Sequence, residues 1–247
     1  MNPKNVAMRA SALVGTLGFL LGCASQTRTG ATAADAESSA TAASAPPAPP
    51  PQPMLAETPT DRLGTAPAGF GLKVGDRAPD ASLPDVTGKT QSLAEIFAQG
   101  PTLVLFYRGG WCPFCNLELH DYSVNKPEFD RRGVRLVAIS VDKPSEEAKT
   151  QAKHGVPFPM LSDPKMVALQ AYRVVHVPGD TEKKAMAGYG IDLVAYSGES
   201  HGDFAVPSIF LVGRNGVVLF AHIDEDFKTR PGAKQMLAVA DRLLGAK

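Results

Sequence analysis

Residues 102–115 read TLVLFYRGGWCPFC, and this run holds the strongest structural signal in the chain. It opens with an apolar stretch bounded by a proline and a glycine pair, which predicts a buried strand. The amphipathic residues 116–122 that follow predict a helix. Two cysteines, Cys112 and Cys115, therefore lie where a strand ends and a helix begins.

This position predicts a redox-active pair. The first backbone N–H groups of a helix have no intrahelical partner and carry partial positive charge, so a thiolate there is stabilised and its pKa falls. We expect Cys112 at the N-cap or in the first turn, with the lower pKa and the greater exposure. Pro113 suits the first helical position, where its missing N–H is not needed. Cys115 lies one turn along and can attack a mixed disulfide formed on Cys112.

Two other interpretations of the CxxC pair have weaker support. A zinc site would need two further ligands, and the sequence contains no second CxxC and no HxxxH. A structural disulfide that closes so short a loop removes little entropy from the unfolded chain and stabilises little. We therefore predict a redox pair, with no metal ion and no bound organic cofactor.

The third cysteine, Cys23, ends a segment that is typical of an export signal. A short basic region is followed by an apolar stretch that ends in Leu20-Leu21-Gly22-Cys23, too short for a transmembrane span. This ending resembles the lipobox of bacterial lipoprotein signal peptides, which implies cleavage before Cys23 and its lipidation. An ordinary signal peptide and an uncleaved anchor are the alternatives. Ala24, in place of an aspartate, resembles lipoproteins sent to an outer membrane, so we expect an exported protein held by lipid on the periplasmic face of a bacterial membrane.

The chain is thus predicted to have three parts: a signal peptide over residues 1–22, a lipidated tether over residues 23–69 and one domain over residues 70–247. The tether is rich in alanine, serine, threonine and proline. It cannot bury enough apolar surface to offset its ordering entropy, and its prolines favour an extended spacer. The formal net charge is zero and there is no basic block, so nothing indicates nucleic acid binding.

Within the domain, strand and helix patterns alternate. Strand-like runs at residues 102–107 and 134–140 each precede a helical pattern, and Arg214-Asn215-Gly216 predicts the turn of a closing hairpin, because asparagine and glycine supply positive φ angles. An initial hairpin comes first, with Ser92 as the cap of a short helix. The alternation predicts an α/β domain with a central mixed sheet flanked by helices. Residues 175–202, which lack a regular pattern, form an insertion that we expect to shape the entrance to the site.

Two segments resemble a known family. Residues 106–118, FYRGGWCPFCNLE, and residues 74–80, VGDRAPD, look like the peroxiredoxin-like branch of the alkyl hydroperoxide reductase and thiol-specific antioxidant (AhpC/TSA) superfamily. The resemblance covers about residues 72–247. It implies a thioredoxin-like fold and an antioxidant thiol oxidoreductase. The implied partners are a protein disulfide or dithiol, or a hydroperoxide together with a thiol reductant.

The site departs from the family's pattern. The family's peroxidatic cysteine falls on Cys115, while its upstream hydroxyl residue and proline fall on Cys112 and Arg108. The distant arginine of the family falls on Pro207. Three of the four positions that bind peroxide are therefore occupied by other residues. Thioredoxins instead have a tryptophan before the CxxC pair, here Trp111, and a cis proline against the disulfide, for which Pro207 is the candidate.

These departures favour dithiol–disulfide exchange, in which Cys112 attacks and Cys115 resolves. Arg108 is expected to stabilise the thiolate, and Trp111 to shield the disulfide and form part of a substrate surface. The alternative is a thiol peroxidase that uses Cys115 or Cys112 as its peroxidatic thiol, since a thiolate of low pKa also reacts with peroxide. A third hypothesis is a copper chaperone, in which His201 would approach the two thiols.

Overall fold

A computed structural model describes residues 54–245 of the chain. The predicted signal peptide, Cys23 and the tether up to residue 53 lie outside the described residues, as do residues 246 and 247. Among the described residues, no helix is both long enough and apolar enough to cross a lipid bilayer.

Strands and helices alternate along the described part of the chain. The strands are β1 (Ala56–Glu57), β2 (Ser82–Pro84), β3 (Thr90–Ser92), β4 (Thr102–Phe106), β5 (Arg135–Ser140), β6 (Met160–Ser162), β7 (Val175–His176), β8 (Phe204–Ala205), β9 (Ser208–Val212), β10 (Val218–Ile223) and β11 (Thr229–Arg230). The helices are α1 (Leu93–Ala98), α2 (Pro113–Arg131), α3 (Pro144–His154), α4 (Val167–Ala171), α5 (Asp180–Gly188), α6 (Leu193–Ser197) and α7 (Ala233–Leu244), with a 3-10 turn at Thr60–Arg62.

Five strands form the central sheet, in the order β10–β9–β4–β5–β6. Strands β4, β5 and β6 run parallel, whereas β9 is antiparallel to both β4 and β10. In the middle strand, Leu105 pairs with Ala138 of β5 on one side and with Ile209 of β9 on the other. A mixed sheet that joins parallel crossover units to a closing hairpin confirms the predicted α/β, thioredoxin-like arrangement.

Both faces of this sheet are covered, which explains the continuous apolar sequence of β4. Its five residues are all buried, and the four apolar ones, residues 103–106, alternate between two hydrophobic clusters. Val104 and Phe106 belong to the cluster that includes residues of α1 and α4, while Leu103 and Leu105 belong to the cluster that includes residues of α2 and α7. Each fully buried side chain of this kind contributes about 1.5–3 kcal/mol of burial free energy.

Helix α2 follows β4 as predicted and presents the CxxC motif at its start. Cys112 is the N-cap, with φ −89° and ψ 114°, and Pro113 is the first helical residue. The predicted cap of α1 is also present, because the Ser92 side chain accepts a hydrogen bond from the backbone N–H of Glu95 at 3.2 Å. These local signals placed the helix starts correctly.

The closing hairpin of β9 and β10 is present, but its turn differs from the prediction. Gly216 has a positive φ of 76°, whereas Asn215 does not. The N–H of Gly216 donates to the carbonyl of Gly213 at 2.8 Å, and the N–H of Gly213 donates to the carbonyl of Val217 at 2.8 Å. The connection is therefore a longer loop in which glycine alone supplies the left-handed residue.

The insertion at residues 175–202 is more regular than its sequence suggested. It contains strand β7 and the two helices α5 and α6. The helices escaped prediction because neither has an apolar stripe: α5 buries Met186 alone, and α6 buries Ser197 alone.

The domain also begins before residue 70, the predicted boundary with the tether. Strand β1 pairs in parallel with β11, and Thr58 is only 1% exposed. Further along, the carbonyl of Thr65 accepts a hydrogen bond from the N–H of Ile223 at 2.9 Å. Residues 56–65 therefore pack on the domain, because these backbone bonds offset the cost of ordering a segment with few apolar side chains.

Candidate active site

The Gly109-Gly110 pair brings the CxxC loop close to neighbouring side chains. Gly109 has a φ of 147°, and a Cβ there would lie 2.8 Å from Asp142 Oδ1. A Cβ on Gly110 would overlap the side chain of Thr150. The backbone N–H of Gly110 donates to Asp142 Oδ2 at 2.7 Å. Side chains at either glycine would therefore push the loop, and the first thiol with it, away from its support.

The two thiols occupy different environments. Both are free and buried: Cys112 is 1% exposed and Cys115 is fully buried, so Cys112 is not the well-exposed residue that the sequence suggested. It does line a cavity of about 530 Å³, which gives it a route to solvent and substrate.

Electrostatics separates the thiols further. The pKa of Cys112 is lowered to about 6, and the largest cause is the hydrogen bond from Cys115. The positive charges of Arg108 and Arg230 also lower this pKa, whereas burial raises it. Burial, followed by its hydrogen bond to Cys112, raises the pKa of Cys115 well above its ordinary value. At neutral pH, Cys112 is mostly thiolate and Cys115 is a thiol that can donate its proton.

Arg108 lies at the end of β4, enclosed by three aromatic rings. Its Cζ atom is 4.9 Å from the ring centroid of Trp111, 4.7 Å from that of Phe204 and 4.3 Å from that of Phe227. The residue is 6% exposed, and its guanidinium lies 3.5 Å from Glu182 Oε1 of the insertion helix α5. The rings hold the cation near the thiolate while excluding the water that would screen it.

Trp111 forms one wall of the cavity above Cys112. It packs edge-to-face against Phe204, with ring centroids 5.4 Å apart. Most of the other residues around the cavity are apolar. The full lining is Arg108, Trp111, Cys112, Pro113, Phe114, Glu182, Ala185, Met186, Tyr189, Ile191 and Phe227. Five of these residues, from Glu182 to Ile191, belong to the insertion, so residues 175–202 do border the entrance to the motif.

Pro207 does not have the predicted cis peptide bond. None of the peptide bonds in residues 54–245 is cis. Val206 and Pro207 join β8 to β9, and the N–H of Val206 donates to the carbonyl of Val174 at 2.8 Å. A proline just before a strand removes no bond from the sheet. Pro207 lines a smaller cavity, of about 90 Å³, that also borders Arg108.

Arg230 of β11 is a site residue that the sequence did not reveal. It is 2% exposed, with Nη2 at 3.9 Å from Cys115 Sγ and Nε at 3.2 Å from Glu118 Oε2. The chain therefore does place an arginine beside the thiols, at a position other than Pro207, where we expected the family's arginine to fall. Arg230 lies 115 residues beyond Cys115 in a two-residue strand, so no local pattern indicates it.

Glu118 of helix α2 is the buried partner of Arg230. It is 2% exposed. Burial raises the pKa of Glu118 to about 7, and the nearby Arg230 charge opposes that rise. The sequence did contain one indication that Glu118 lies near the thiols. It follows Cys115 by three residues, and this spacing puts both side chains on one face of α2.

Two more buried acids lie behind the CxxC loop. Asp142 follows β5 and accepts the Gly110 N–H, and burial raises its pKa to about 7. Glu147 of α3 accepts hydrogen bonds from the hydroxyls of Tyr107 and Ser140. Burial raises the pKa of Glu147 well above its ordinary value. The hydrogen bond from the Gly110 N–H to Asp142 fixes the backbone of the CxxC loop. These buried acids therefore help to hold Cys112 in place.

His201, which the copper hypothesis brings to the thiols, is bonded elsewhere. Its Nε2 lies 2.8 Å from the carbonyl of Pro164, and its Nδ1 accepts from the N–H of Asp203 at 2.8 Å. Neither ring nitrogen has a free lone pair for a metal ion. Among residues 54–245, no group of three or more His, Cys, Asp or Glu side chains is arranged to hold one metal ion.

Sequence comparison relates this chain to peroxiredoxins. The model of the AhpC/TSA family matches residues 74–221. A putative peroxiredoxin of Mycobacterium tuberculosis is 37% identical over 101 residues, which are 41% of this chain and 64% of that relative. The chain thus spans just under two thirds of the length of this relative. Peroxiredoxin Bcp of Escherichia coli is 29% identical over 158 residues, which are 64% of this chain and 88% of that protein.

Solved structures show the same fold. Peroxidoxin BcpB of Mycobacterium tuberculosis has a TM-score of 0.54 at 21% identity, covering 70% of this chain and 98% of its own. Reduced Prx3 of Vibrio vulnificus, solved in complex with hydrogen peroxide, has a TM-score of 0.57 at 17% identity, covering 68% and 99%. With the family match over more than half of its length, the chain belongs to the AhpC/TSA family, the thioredoxin-fold family of alkyl hydroperoxide reductases and thiol-specific antioxidant proteins.

Proposed function

We propose that the chain is a thiol–disulfide oxidoreductase in which Cys112 attacks and Cys115 resolves. One observation carries the proposal: Cys112 lines the cavity with a pKa of about 6, while Cys115 is buried with a raised pKa. A nucleophile needs the thiolate form and access to its substrate, and a resolving thiol needs only to reach the first sulfur.

In the proposed reaction, the Cys112 thiolate attacks a disulfide of the substrate. A bond forms between Cys112 Sγ and one substrate sulfur, and the other substrate sulfur leaves as a thiolate that takes up a proton. Cys115 then loses its proton and attacks Cys112 Sγ, which releases the second substrate thiol and leaves the Cys112–Cys115 disulfide. Two electrons pass to the substrate, and an external dithiol returns them.

The positions of Arg108 and Arg230 support this order of events. Both cations favour a thiolate at Cys112, and Arg230 also favours the charged form of Cys115, which must appear for resolution. Cys115 lies in the first turn of α2, three residues after its N-cap Cys112, so one helical turn separates it from the sulfur that it attacks. The apolar cavity supports a substrate with an apolar group beside its disulfide.

Trapping variants test the proposal in the full chain. Reduced Cys115→Ser is expected to accumulate a mixed disulfide between Cys112 and a disulfide-bonded probe protein, because nothing resolves it. Cys112→Ser is expected to accumulate none, and the double variant, which keeps Cys23, controls for that third thiol. A mixed disulfide on Cys115 in Cys112→Ser would overturn the assignment.

Peroxide reduction by the same pair is the second candidate, and the names of the peroxiredoxin relatives favour it. Here the Cys112 thiolate attacks the outer oxygen of a hydroperoxide, the O–O bond breaks, and the alcohol leaves with a proton. Cys115 then attacks the sulfenic acid, forming the disulfide and releasing water. A dimedone adduct on Cys112 in Cys115→Ser, with peroxide consumed faster than a disulfide probe is reduced, would favour this function. An adduct on Cys115 in Cys112→Ser would instead identify Cys115 as the peroxidatic thiol.

We also propose that lipid on Cys23 anchors the protein to the periplasmic face of an outer membrane. The support is the Leu-Leu-Gly-Cys ending of the export signal and the proline-rich segment after it. In a bacterial host, the full chain is expected to incorporate labelled palmitate and to sediment with outer membranes. Cys23→Ser should lose both properties, and labelling that persists in this variant would refute the anchor.

A further inference from the structure

Strand β1 pairs with β11, the strand that contains Arg230. The two form a two-stranded sheet of their own, in which Glu57 is paired with Arg230. The N–H of Ala56 donates to the carbonyl of Lys228 at 3.0 Å, and the N–H of Thr58 donates to the carbonyl of Arg230 at 2.9 Å. The backbone of Arg230 is therefore attached directly to residues 56–58.

Residues 56–58 are in turn bonded to helix α7 through Thr58, the last of the three. The carbonyl of Thr58 accepts a hydrogen bond from Gln235 Nε2 of helix α7 at 2.8 Å, and Thr58 is almost completely buried. The side-chain oxygen of Gln235 also accepts the N–H of Gly232, two residues after Arg230. The segment thus bridges β11 and the start of α7.

The guanidinium of Arg230 has little freedom once its backbone is held. Its Nη1 donates to the carbonyl of Thr229 at 2.8 Å, its Nε pairs with Glu118 at 3.2 Å, and its Nη2 lies 3.9 Å from Cys115 Sγ. The interaction energy of two charges varies inversely with their separation, and it is large where water is excluded. A small displacement of β11 would therefore weaken the influence of Arg230 on the thiols.

We propose that residues 56–58 act as a strap that positions Arg230 beside the two thiols, with the backbone N–H of Thr58 as the positioning group. The strap touches neither thiol and acts only through Arg230. The inference rests on the proposed thiol chemistry, but it is tested by the ionisation of Cys112 and not by turnover. Failure of the strap proposal can therefore be distinguished from failure of the proposed function.

A matched pair of substitutions at one position tests the strap in the full-length reduced chain. Thr58→Pro removes the N–H that bonds Arg230. Thr58→Val keeps that N–H and the shape of the side chain, and like Thr58→Pro it loses the contact of the hydroxyl with His222 Nε2 at 3.5 Å. The rate of Cys112 alkylation, followed by mass spectrometry across pH, gives the midpoint of its ionisation. Circular dichroism shows whether each variant is folded.

We expect Thr58→Pro to raise this midpoint by about half a pH unit or more, in the same direction as Arg230→Met. Thr58→Val should match the wild type. Adding Thr58→Pro to Arg230→Met should raise the midpoint no further, because the strap acts only through that cation. A folded Thr58→Pro with the wild-type midpoint, or a full additional rise in the double variant, would overturn the proposal.

Gln235→Leu provides the measurement if Thr58→Pro does not fold. It removes the bonds of Gln235 to the carbonyl of Thr58 and to the N–H of Gly232, and it leaves the bonds between β1 and β11 in place. A smaller rise in the Cys112 midpoint is expected, and none in the Arg230→Met background. A midpoint equal to that of the wild type would overturn the strap.

Discussion

Replacing Arg108 with methionine should raise the pKa of Cys112, because it removes a cation held close to the thiolate. The guanidinium is enclosed by three aromatic rings at 4.3–4.9 Å and is almost fully buried. Methionine has similar length and flexibility, so it can fill the space between the rings without a charge. The perturbation is therefore electrostatic in the main.

The size of the effect follows from the ionisation of Cys112. With a pKa of about 6, about 90% of Cys112 is thiolate at pH 7. Loss of one nearby cation raises a thiol pKa by about one pH unit. The thiolate fraction then falls to about 50% at pH 7, and from about 50% to about 10% at pH 6. We expect alkylation of Cys112 to slow about twofold at pH 7 and about fivefold at pH 6.

The assay is the rate of iodoacetamide labelling of Cys112 in the reduced chain from pH 4.5 to 9. Arg108→Lys is the matched control, since it keeps the charge and should change the midpoint less. Cys115→Ala should raise the midpoint more than Arg108→Met, because the hydrogen bond from Cys115 is the largest influence on the Cys112 pKa. An unchanged midpoint in Arg108→Met, or a larger change there than in Cys115→Ala, would refute this account of the thiolate.

Three further predictions concern the surroundings of the thiols. Above pH 7, where Glu118 is charged, Arg230→Met should lower the free energy of unfolding by about 3–5 kcal/mol, because the buried carboxylate loses its partner. Adding Glu118→Gln should restore most of this free energy. Urea unfolding that shows no recovery would contradict this prediction. The pKa of Glu118, about 7, lies above its ordinary value, so its contribution to stability is greatest below pH 4.5 and is lost as the pH rises through 7. The loss amounts to about 3 kcal/mol, and Glu118→Gln should flatten the curve of unfolding free energy over this range. Met186→Trp should fill part of the cavity and slow labelling of Cys112 by a bulky maleimide about tenfold more than labelling by iodoacetamide; equal slowing would mean that substrates do not enter there.

The strand–CxxC–helix unit could be predicted because its signals are local. Five apolar residues at 103–107, two glycines and a proline at the first helical position determine β4, the loop and the start of α2 without help from distant parts of the chain. The same holds for Ser92, whose side chain caps α1 as expected.

The residues around the thiols were harder to predict because distant segments supply them. Arg230 reaches Cys115 from a two-residue strand whose partner, β1, lies in the segment predicted as tether. Strands this short have no periodicity to detect. Helix α5 buries Met186 alone, so its sequence lacks an amphipathic pattern.

The expectation of a cis bond at Pro207 failed for a different reason. It was transferred from thioredoxins on the position of one proline, whereas the geometry of that bond depends on the path of the chain on both sides. Here the N–H of Val206 is bonded to the carbonyl of Val174, and β9 begins at Ser208. The sequence at 206–207 is the same for either isomer, so only the fold distinguishes them.

The central claim, that Cys112 is the first nucleophile, is tested most directly by single-hit labelling of the reduced wild-type chain. The protein is treated at pH 7 with less than one equivalent of iodoacetamide, and mass spectrometry of its peptides locates the label. The lowered pKa of Cys112 and the raised pKa of Cys115 predict that, of the label on these two thiols, nearly all lies on Cys112. Label that lies mainly on Cys115 would contradict the account.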